Sequence, residues 1–215
     1  DGRTTLFAAA FYNKYEIIKL LLDAGVDIDK QDNELDTALL YATIRSNYEV
    51  IKLLLDFGAN PNKQNNDGDT ALIITSSSNK IDIVKLLLEN NANLNIQNKK
   101  GNTALILAAS NNNYEIVELL LYAGADTDKQ NILENTALII AAFNDARELV
   151  ELLLDYHADE FVLDNSGRSF YDMMNNENKK FFLKEYPNKV YNAISYRYKK
   201  SFTEFVKDYN IKNNI

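Results

Sequence analysis

The sequence predicts an all-α solenoid of stacked helix pairs, and three observations predict it. Thr4, Thr37, Thr70, Thr103 and Thr136 recur at a step of 33 residues. The triple leucines Leu20–Leu22, Leu53–Leu55, Leu86–Leu88, Leu119–Leu121 and Leu152–Leu154 recur at the same step. Between these marks lie two short stretches of helical apolar spacing, with a turn-rich stretch from one unit to the next. A unit this small cannot bury its apolar face alone, so neighbours must stack to build a core.

Taken in order, each unit opens on a polar turn. The turns are Asp32-Asn33-Glu34-Leu35-Asp36, Asn65–Asp69, Asn98–Asn102 and Asn131–Asn135. Gly68 and Gly101 suit a turn with positive φ. Leu35 and Glu134 stand in their place, which predicts a different shape for those two turns. After the first apolar stretch, Asn13, Ser46, Asn79, Asn112 or Asp145 precedes Glu16, Glu49, Asp82, Glu115 or Glu148 by three residues. That is capping-box spacing at the start of the second helix, and it gives these acids a structural role. In the second helix Ile17, Ile18, Leu20, Leu21 and Leu22 form the apolar side, with Glu16, Lys19 and Asp23 toward water. The helix leaves through Gly25, Gly58, Asn91, Gly124 and His157, residue types that tolerate the left-handed region. That position accounts for His157 without a ligand role.

The pattern degrades after residue 160. Phe161-Val162-Leu163 replaces the usual Asp-Lys-Gln, and Phe170, Tyr171, Met173 and Met174 replace small residues and leucines. A degenerate last unit is expected where the stack must end. Pro187 ends the Phe181-Phe182-Leu183 segment. Beyond it the spacing predicts helices over 189–200 and 202–210, the second opened by a Ser201/Glu204 capping box. Tyr186, Tyr191, Tyr196, Tyr198 and Tyr209 are expected to pack on the last repeat rather than stack on bases or lie on a membrane.

These residues resemble the ankyrin repeat family over about residues 1–175. The family's turn glycine, Thr-Pro-Leu-His, alanine pair, Gly-His break, Glu-Ile-Val, leucine run and Gly-Ala-Asp appear here in order. They are Gly101, Thr103-Ala104-Leu105-Ile106, Ala108-Ala109, Asn112-Asn113, Glu115-Ile116-Val117, Leu119–Leu121 and Gly124-Ala125-Asp126. The family's Pro is replaced by Thr5, Ala38, Ala71, Ala104 and Ala137. Its His is replaced by Phe7, Leu40, Ile73, Ile106 and Ile139, so packing or other polar groups must take over the hydrogen bonds that His makes between turns. The resemblance implies an ankyrin-repeat solenoid with projecting turn fingers and a C-terminal helical cap. The units are about 1–31, 32–64, 65–97, 98–130 and 131–163, with a degenerate 164–188 and a basic, aromatic extension at 189–215.

Composition narrows the chemistry. There is no cysteine and a single histidine, which removes disulfides, thiol nucleophiles and Cys/His zinc sites. No phosphate loop, serine-nucleophile motif or nucleotide fingerprint is present. The Asp- and Asn-rich turns lack the twelve-residue calcium loop with its closing Glu. The net charge of −8 is uneven: residues 179–215 carry nine Lys/Arg and three Asp/Glu, leaving −14 for the rest. Over most of the surface that charge repels nucleic acid. No apolar run is long enough for a bilayer. Asp1-Gly2-Arg3-Thr4 already reads as a turn and helix start, so a removed leader stays open, with the cytoplasm as the default compartment.

The expected function is a non-catalytic protein-binding scaffold, monomeric, with no cofactor, metal or small-molecule substrate. The resemblance implies a concave face of first helices with the turns as its rim. Candidate contact residues are those that refuse to recur. They are Phe11, Tyr12, Ile44, Arg45, Phe143 and Asn144 at the ends of first helices, and Arg3, Asp36, Asp69 and Asn102 at the turns. Aromatics and Arg dominate interface hot spots. Phe11, Ile44 and Phe143 could instead fill space left by the missing histidines. The acidic array favours a basic partner. Two other readings compete: a recognition module of a larger enzyme or secreted effector, and a basic tail anchoring to nucleic acid or anionic membrane.

Overall fold

The computed structural model describes residues 2 and 4–198, which fall into two compact units, Asp1–Asp126 and Thr127–Ile215. The described residues contain thirteen helices and no strand. None of those helices is long and apolar enough to cross a membrane.

The first unit holds four helix pairs: α1 (Thr5–Phe11) with α2 (Tyr15–Asp23), α3 (Ala38–Ile44) with α4 (Tyr48–Asp56), α5 (Ala71–Ser77) with α6 (Ile81–Glu89), and α7 (Ala104–Ser110) with α8 (Tyr114–Tyr122). The recurring threonine is the N-cap of the first helix. Thr37, Thr70 and Thr103 accept the N–H of Leu40, Ile73 and Ile106 at 3.2, 3.3 and 3.2 Å, all out of water. Such a cap is worth about 1 kcal/mol, so its recurrence reflects the same task in each repeat. The residue at the family's Pro position is the first helical residue. Those at the His position, Phe7, Leu40, Ile73 and Ile106, are at most 2% exposed, so packing fills that place.

The expected capping boxes do not form at the second helices. Asn13, Ser46, Asn79 and Asn112 have φ of 52–56°, and the N-caps are Lys14, Asn47, Lys80 and Asn113, none with a side-chain cap bond. The left-handed residues instead close the helix before. The Asn13 N–H reaches the Ala10 carbonyl and the Lys14 N–H reaches the Ala9 carbonyl, the double bond of a Schellman exit. Short polar residues are favoured at both kinds of site, which is why spacing alone misassigned them. Glu16, Glu49, Asp82 and Glu115 still lie in the first turn of the second helix, where the helix dipole favours an acid. The exits of those helices are as expected, with Gly25, Gly58, Asn91 and Gly124 all at positive φ.

The turns with Leu35 and Glu134 do not differ from the glycine turns. Leu35 has φ 59° and Glu134 58°, beside 79° for Gly68 and 73° for Gly101. The cause is the residue three places earlier. Asp32 Oδ1 accepts the N–H groups of Glu34 and Asp36 at 2.9 and 3.0 Å; Asn65 does the same for Asp67 and Asp69 at 3.1 and 3.0 Å. Two such bonds fix the turn whatever stands at its left-handed position.

Side-chain amides tie the repeats together where the family uses His. Gln31 Nε2 donates to the Leu35 carbonyl of its own turn at 2.6 Å and to the Gln64 carbonyl of the next at 3.0 Å. Gln64 repeats this with Gly68 and Gln97 at 2.6 and 3.1 Å. A second series runs beside it: Asp29, Asn62 and Asn95 accept the N–H groups of Asn60, Asn93 and Asp126 at 2.9, 2.7 and 2.9 Å. Each bond contributes about 1 kcal/mol net, and each recurs at 33 because it joins equivalent atoms. The second helices bury Val50, Ile51, Leu54, Val84, Leu87 and Leu120 completely. α2 departs from this, with Ile17 46% and Leu20 70% exposed rather than on a covered apolar side.

The second unit contains α9 (Ala137–Phe143), α10 (Arg147–Asp155), α11 (Phe170–Met173), α12 (Asn176–Glu185) and α13 (Pro187–Tyr198). Thr136 caps α9, and Asp145 and His157 take left-handed exits. Gln130 continues the amide series to the Glu134 and Leu163 carbonyls at 2.6 and 3.2 Å. The next residue of the series is Leu163, which has no amide to extend it. A capping box does form at Ser169 and Asp172, opening the single-turn α11. Asn175 caps α12. Pro187 opens α13, a first-turn place where its missing N–H costs nothing. Phe182, Val190 and Ala193 are fully buried, and Tyr186 lies 5.4 Å from the Phe182 ring. Lys189 and Asn192 of α13 donate to Glu160 at 3.1 and 2.8 Å. α13 therefore closes this unit as a helical cap. The helix expected over 202–210 and its Ser201/Glu204 box lie outside the described residues, as does Arg3.

Candidate functional site

Each first helix ends on two residues before its left-handed exit, and the backbone there is the same from repeat to repeat. Tyr12 and Arg45 are the C-caps of α1 and α3, with φ near −90° and ψ near 0°. What differs is the side chain. Ser77 and Ser78 hydroxyls both fold back onto the Ile74 carbonyl, at 2.8 and 3.1 Å, and Asn111 Nδ2 donates to the Leu107 carbonyl at 2.8 Å. At α1 and α3 the side chains project instead. Tyr12 is 67% and Ile44 51% exposed.

The register of the stack brings three of the predicted residues, Phe11, Tyr12 and Arg45, together with Tyr41, which the sequence did not single out. Phe11 stands edge-on to Tyr12 at 5.2 Å and to Tyr41 at 6.1 Å, while the Arg45 guanidinium lies over the Phe11 ring at 4.9 Å. Below them Phe7 packs against Tyr41 at 5.7 Å. The Tyr41 hydroxyl donates to Asp32 Oδ2 at 2.8 Å, and both residues are buried. Asp32 thus anchors the turn through one oxygen and the aromatic cluster through the other. Rigid aromatics with a stacked Arg lose little side-chain entropy on contact, and cation–π stacking leaves the guanidinium N–H groups directed outward for a partner's acceptors. Ile44 and Phe143 do not fill the space of missing histidines, since both are more than half exposed.

The turn candidates lie deeper than the sequence suggested. Asp36, Asp69 and Asn102 are half-buried at the base of their turns. Asp69 Oδ1 accepts from Asn98 Nδ2 of the following turn at 2.8 Å. The exposed tips are instead Asn33, Glu34, Asp67, Lys99 and Lys100. Glu34 accepts from Asn66 at 2.9 Å. In the second unit Phe143, the last residue of α9, is 66% exposed, and Asn144 beside it is exposed too. There the turn tip is apolar, with Ile132 68% and Leu133 51% exposed. Sequence reading passed over these two, although an apolar pair where every other turn tip is polar was a visible signal.

Shallow grooves run between second helices, such as the one lined by Tyr15, Tyr48, Lys52 and Asp56. Lys52 pairs with Asp56 at 3.1 Å in a solvent-exposed ion pair. Among the described residues no group of three or more His, Cys, Asp or Glu converges to hold a metal ion.

Comparison with known proteins agrees with this architecture. A family model described as ankyrin repeats in three copies matches residues 1–65 and 57–131, and one for the ankyrin repeat matches 133–165. A crystal structure of an ankyrin repeat protein superposes with a TM-score of 0.77 at 31% identity, covering 84% of this chain and 96% of that one. No curated protein matches the sequence. With the family pattern matched over most of its length and a solved relative at this identity, the chain belongs to the ankyrin repeat family.

Proposed function

We propose that this chain is a non-catalytic scaffold that holds a protein partner at the first-helix ends of its first unit. Ankyrin repeats are generally protein–protein interaction modules, and typically non-catalytic ones. The observation that carries the finer reading is the Phe11, Tyr12, Tyr41 and Arg45 cluster, with Tyr12 and Ile44 projecting into water. The Gln, Asp and Asn series that tie the repeats do not involve Tyr12 or Ile44. The partner offers an apolar or aromatic side chain to Tyr12 and Ile44 and an acceptor to Arg45. The −14 charge of residues 1–178 favours a partner of basic overall charge, whose encounter is sped by attraction and slowed by salt. In the second unit Phe143 with Asn144 at the end of α9, and Ile132 with Leu133 at a turn tip, are exposed residues open to the same use.

The test starts with capture of the partner and a measured Kd. Tyr12→Ala and Arg45→Ala are each expected to weaken binding by about 1–3 kcal/mol with the melt unchanged. Lys52→Glu, on the second-helix side, is expected to change it little. Loss of binding on Lys52→Glu, with both Ala variants silent, places the interface on the other side.

A further inference from the structure

The outer face of α8 departs from that of the three second helices before it in the first unit. Those helices carry a lysine and an acid four residues apart: Lys19 with Asp23, Lys52 with Asp56, and Lys85 with Glu89. A helix with that spacing supplies its own counter-charge, as the 3.1 Å ion pair of Lys52 and Asp56 shows. α8 has Glu118 and Tyr122 at the same places. Neither Glu118 nor Glu115 has an ion-pair partner among the described residues. Tyr114, Glu115, Glu118 and Tyr122 follow one another at spacings that keep them on one face, and all four are exposed. Tyr122 is 84% exposed, so its ring adds little to the packing of this chain. An acid at a helix end opposes the dipole, and any neutral residue would relieve that; a tyrosine also holds an aromatic face in water.

We propose that the outer face of α8 is a docking surface for an arginine-bearing helix of a protein partner. Two carboxylates with no base of their own match guanidinium groups, which pair with a carboxylate through two parallel N–H donors. The tyrosine rings offer faces to the same planar group, which stacks on aromatics where an ammonium remains a hydrated point charge. Tyr114 and Tyr122 stand about 12 Å apart along the helix axis, with Glu118 midway. Two arginines four residues apart on a partner helix span about 6 Å and fit between the rings. On α2, α4 and α6 the lysine opposes such a segment, so within the first unit the surface belongs to α8. It lies on a second helix and therefore stands or falls apart from the Phe11 cluster on the first helices.

The probe is an alanine-based helical peptide with two arginines four residues apart, titrated at low salt into the full, isotope-labelled chain. Amide shifts in the NMR spectrum are expected to concentrate on Tyr114–Tyr122. Tyr122→Ser leaves the charge unchanged and is expected to raise the Kd about three-fold, as the loss of one exposed cation–π contact predicts. Glu118→Lys with Tyr122→Asp gives α8 the outer pattern of α4, which this fold already carries, and is expected to abolish the α8 shifts. The same peptide with lysines is expected to bind more weakly. Tyr12→Ala, in the first-helix cluster, is expected to leave the peptide's Kd as it was. Shifts spread evenly over the second helices that bear acids would show attraction to overall charge alone and overturn the proposal. A Kd unmoved by Tyr122→Ser, or equal binding of the lysine peptide, overturns it too.

Discussion

The turns and the first-helix ends of the same repeats both keep one backbone through changing sequence, for different reasons. At the turns the left-handed position holds Leu35, Gly68, Gly101, Glu134 and Gly167, all with φ between 58° and 79°. The shape survives because Asp32, Asn65, Asn98, Asn131 and Asp164 each accept two N–H groups of their own turn. At the helix ends the backbone is set by the Schellman exit, and the side chains take no part in it. They are then free either to fold back, as Ser77 and Ser78 do, or to project, as Tyr12 and Ile44 do. A repeat protein keeps its frame in bonds that recur and displays its individuality where none is needed.

The sharpest break in that equivalence lies within the turns themselves. A Cβ on Gly68 would stand 2.9 Å from the Lys99 N and 3.0 Å from the Asn98 Cα, both backbone of the next turn. Gly68→Val adds that collision to a β-branched residue at φ 79°. A loss of about 3 kcal/mol is expected, at the top of the range for such strain, read from the urea midpoint. An unchanged midpoint would show that neighbouring turns can part.

Next in size is the amide series. Gln64→Leu removes the donor to the Gly68 and Gln97 carbonyls while keeping much of the side-chain bulk. Two part-buried carbonyls then lack that partner, with a cost of about 1–2 kcal/mol by thermal melt. Ser78→Ala at a helix end is expected to cost far less, because Ser78 is exposed and its hydroxyl only shares the Ile74 carbonyl with Ser77. Equal costs would erase the distinction between frame and display.

The period, the first-helix starts at the threonines, the second-helix exits and the variable helix ends were all legible, because each depends on a residue and its near neighbours in sequence. The Gln31, Gln64, Gln97 and Gln130 recurrence was equally visible, but its meaning was not. A donor that reaches a carbonyl 33 residues away exists only once the stack does. Neighbour-dependent burial was hidden for the same reason: Leu20 and Leu53 read alike, yet one is exposed and one covered. Asp36 and Asp69 looked like surface charges until the register set Asn98 against Asp69. Arg45 over Phe11 also needs that register, since the two are 34 positions apart.

Acid should act on the second unit in a defined direction. Burial opposes the charge of Glu160, but hydrogen bonds from Asn192, its own backbone and Lys189 outweigh it and hold its carboxyl below the ordinary value. Burial likewise opposes Asp164, and the Arg168 and Ser166 N–H groups with the Arg168 guanidinium outweigh it. A depressed folded pKa gives stability that is complete above the ordinary carboxylate range and is lost as pH falls through the folded value. The melting temperature is therefore expected to fall below about pH 4. Asp164→Asn should flatten that fall while keeping an acceptor for the turn. A melt that does not respond between pH 6 and pH 3, roughly the span of carboxylate titration, would refute the linkage.

The smallest effect expected is a gain at the other kind of turn. Leu35 holds φ 59° with its side chain 43% exposed, so it carries left-handed strain and buries little in return. Leu35→Gly relieves that strain. The same substitution loosens the unfolded chain, which opposes the gain. The net is expected between zero and about +1 kcal/mol. Because the Asp32 bonds to Glu34 and Asp36 do not involve residue 35, the turn should keep its shape and its protection from hydrogen exchange. Glu134→Gly tests the same point at φ 58° in the second unit. If either variant instead loses more than about 1 kcal/mol, the side chain at that place has a packing role that outweighs its strain, and the turns are less alike than their angles.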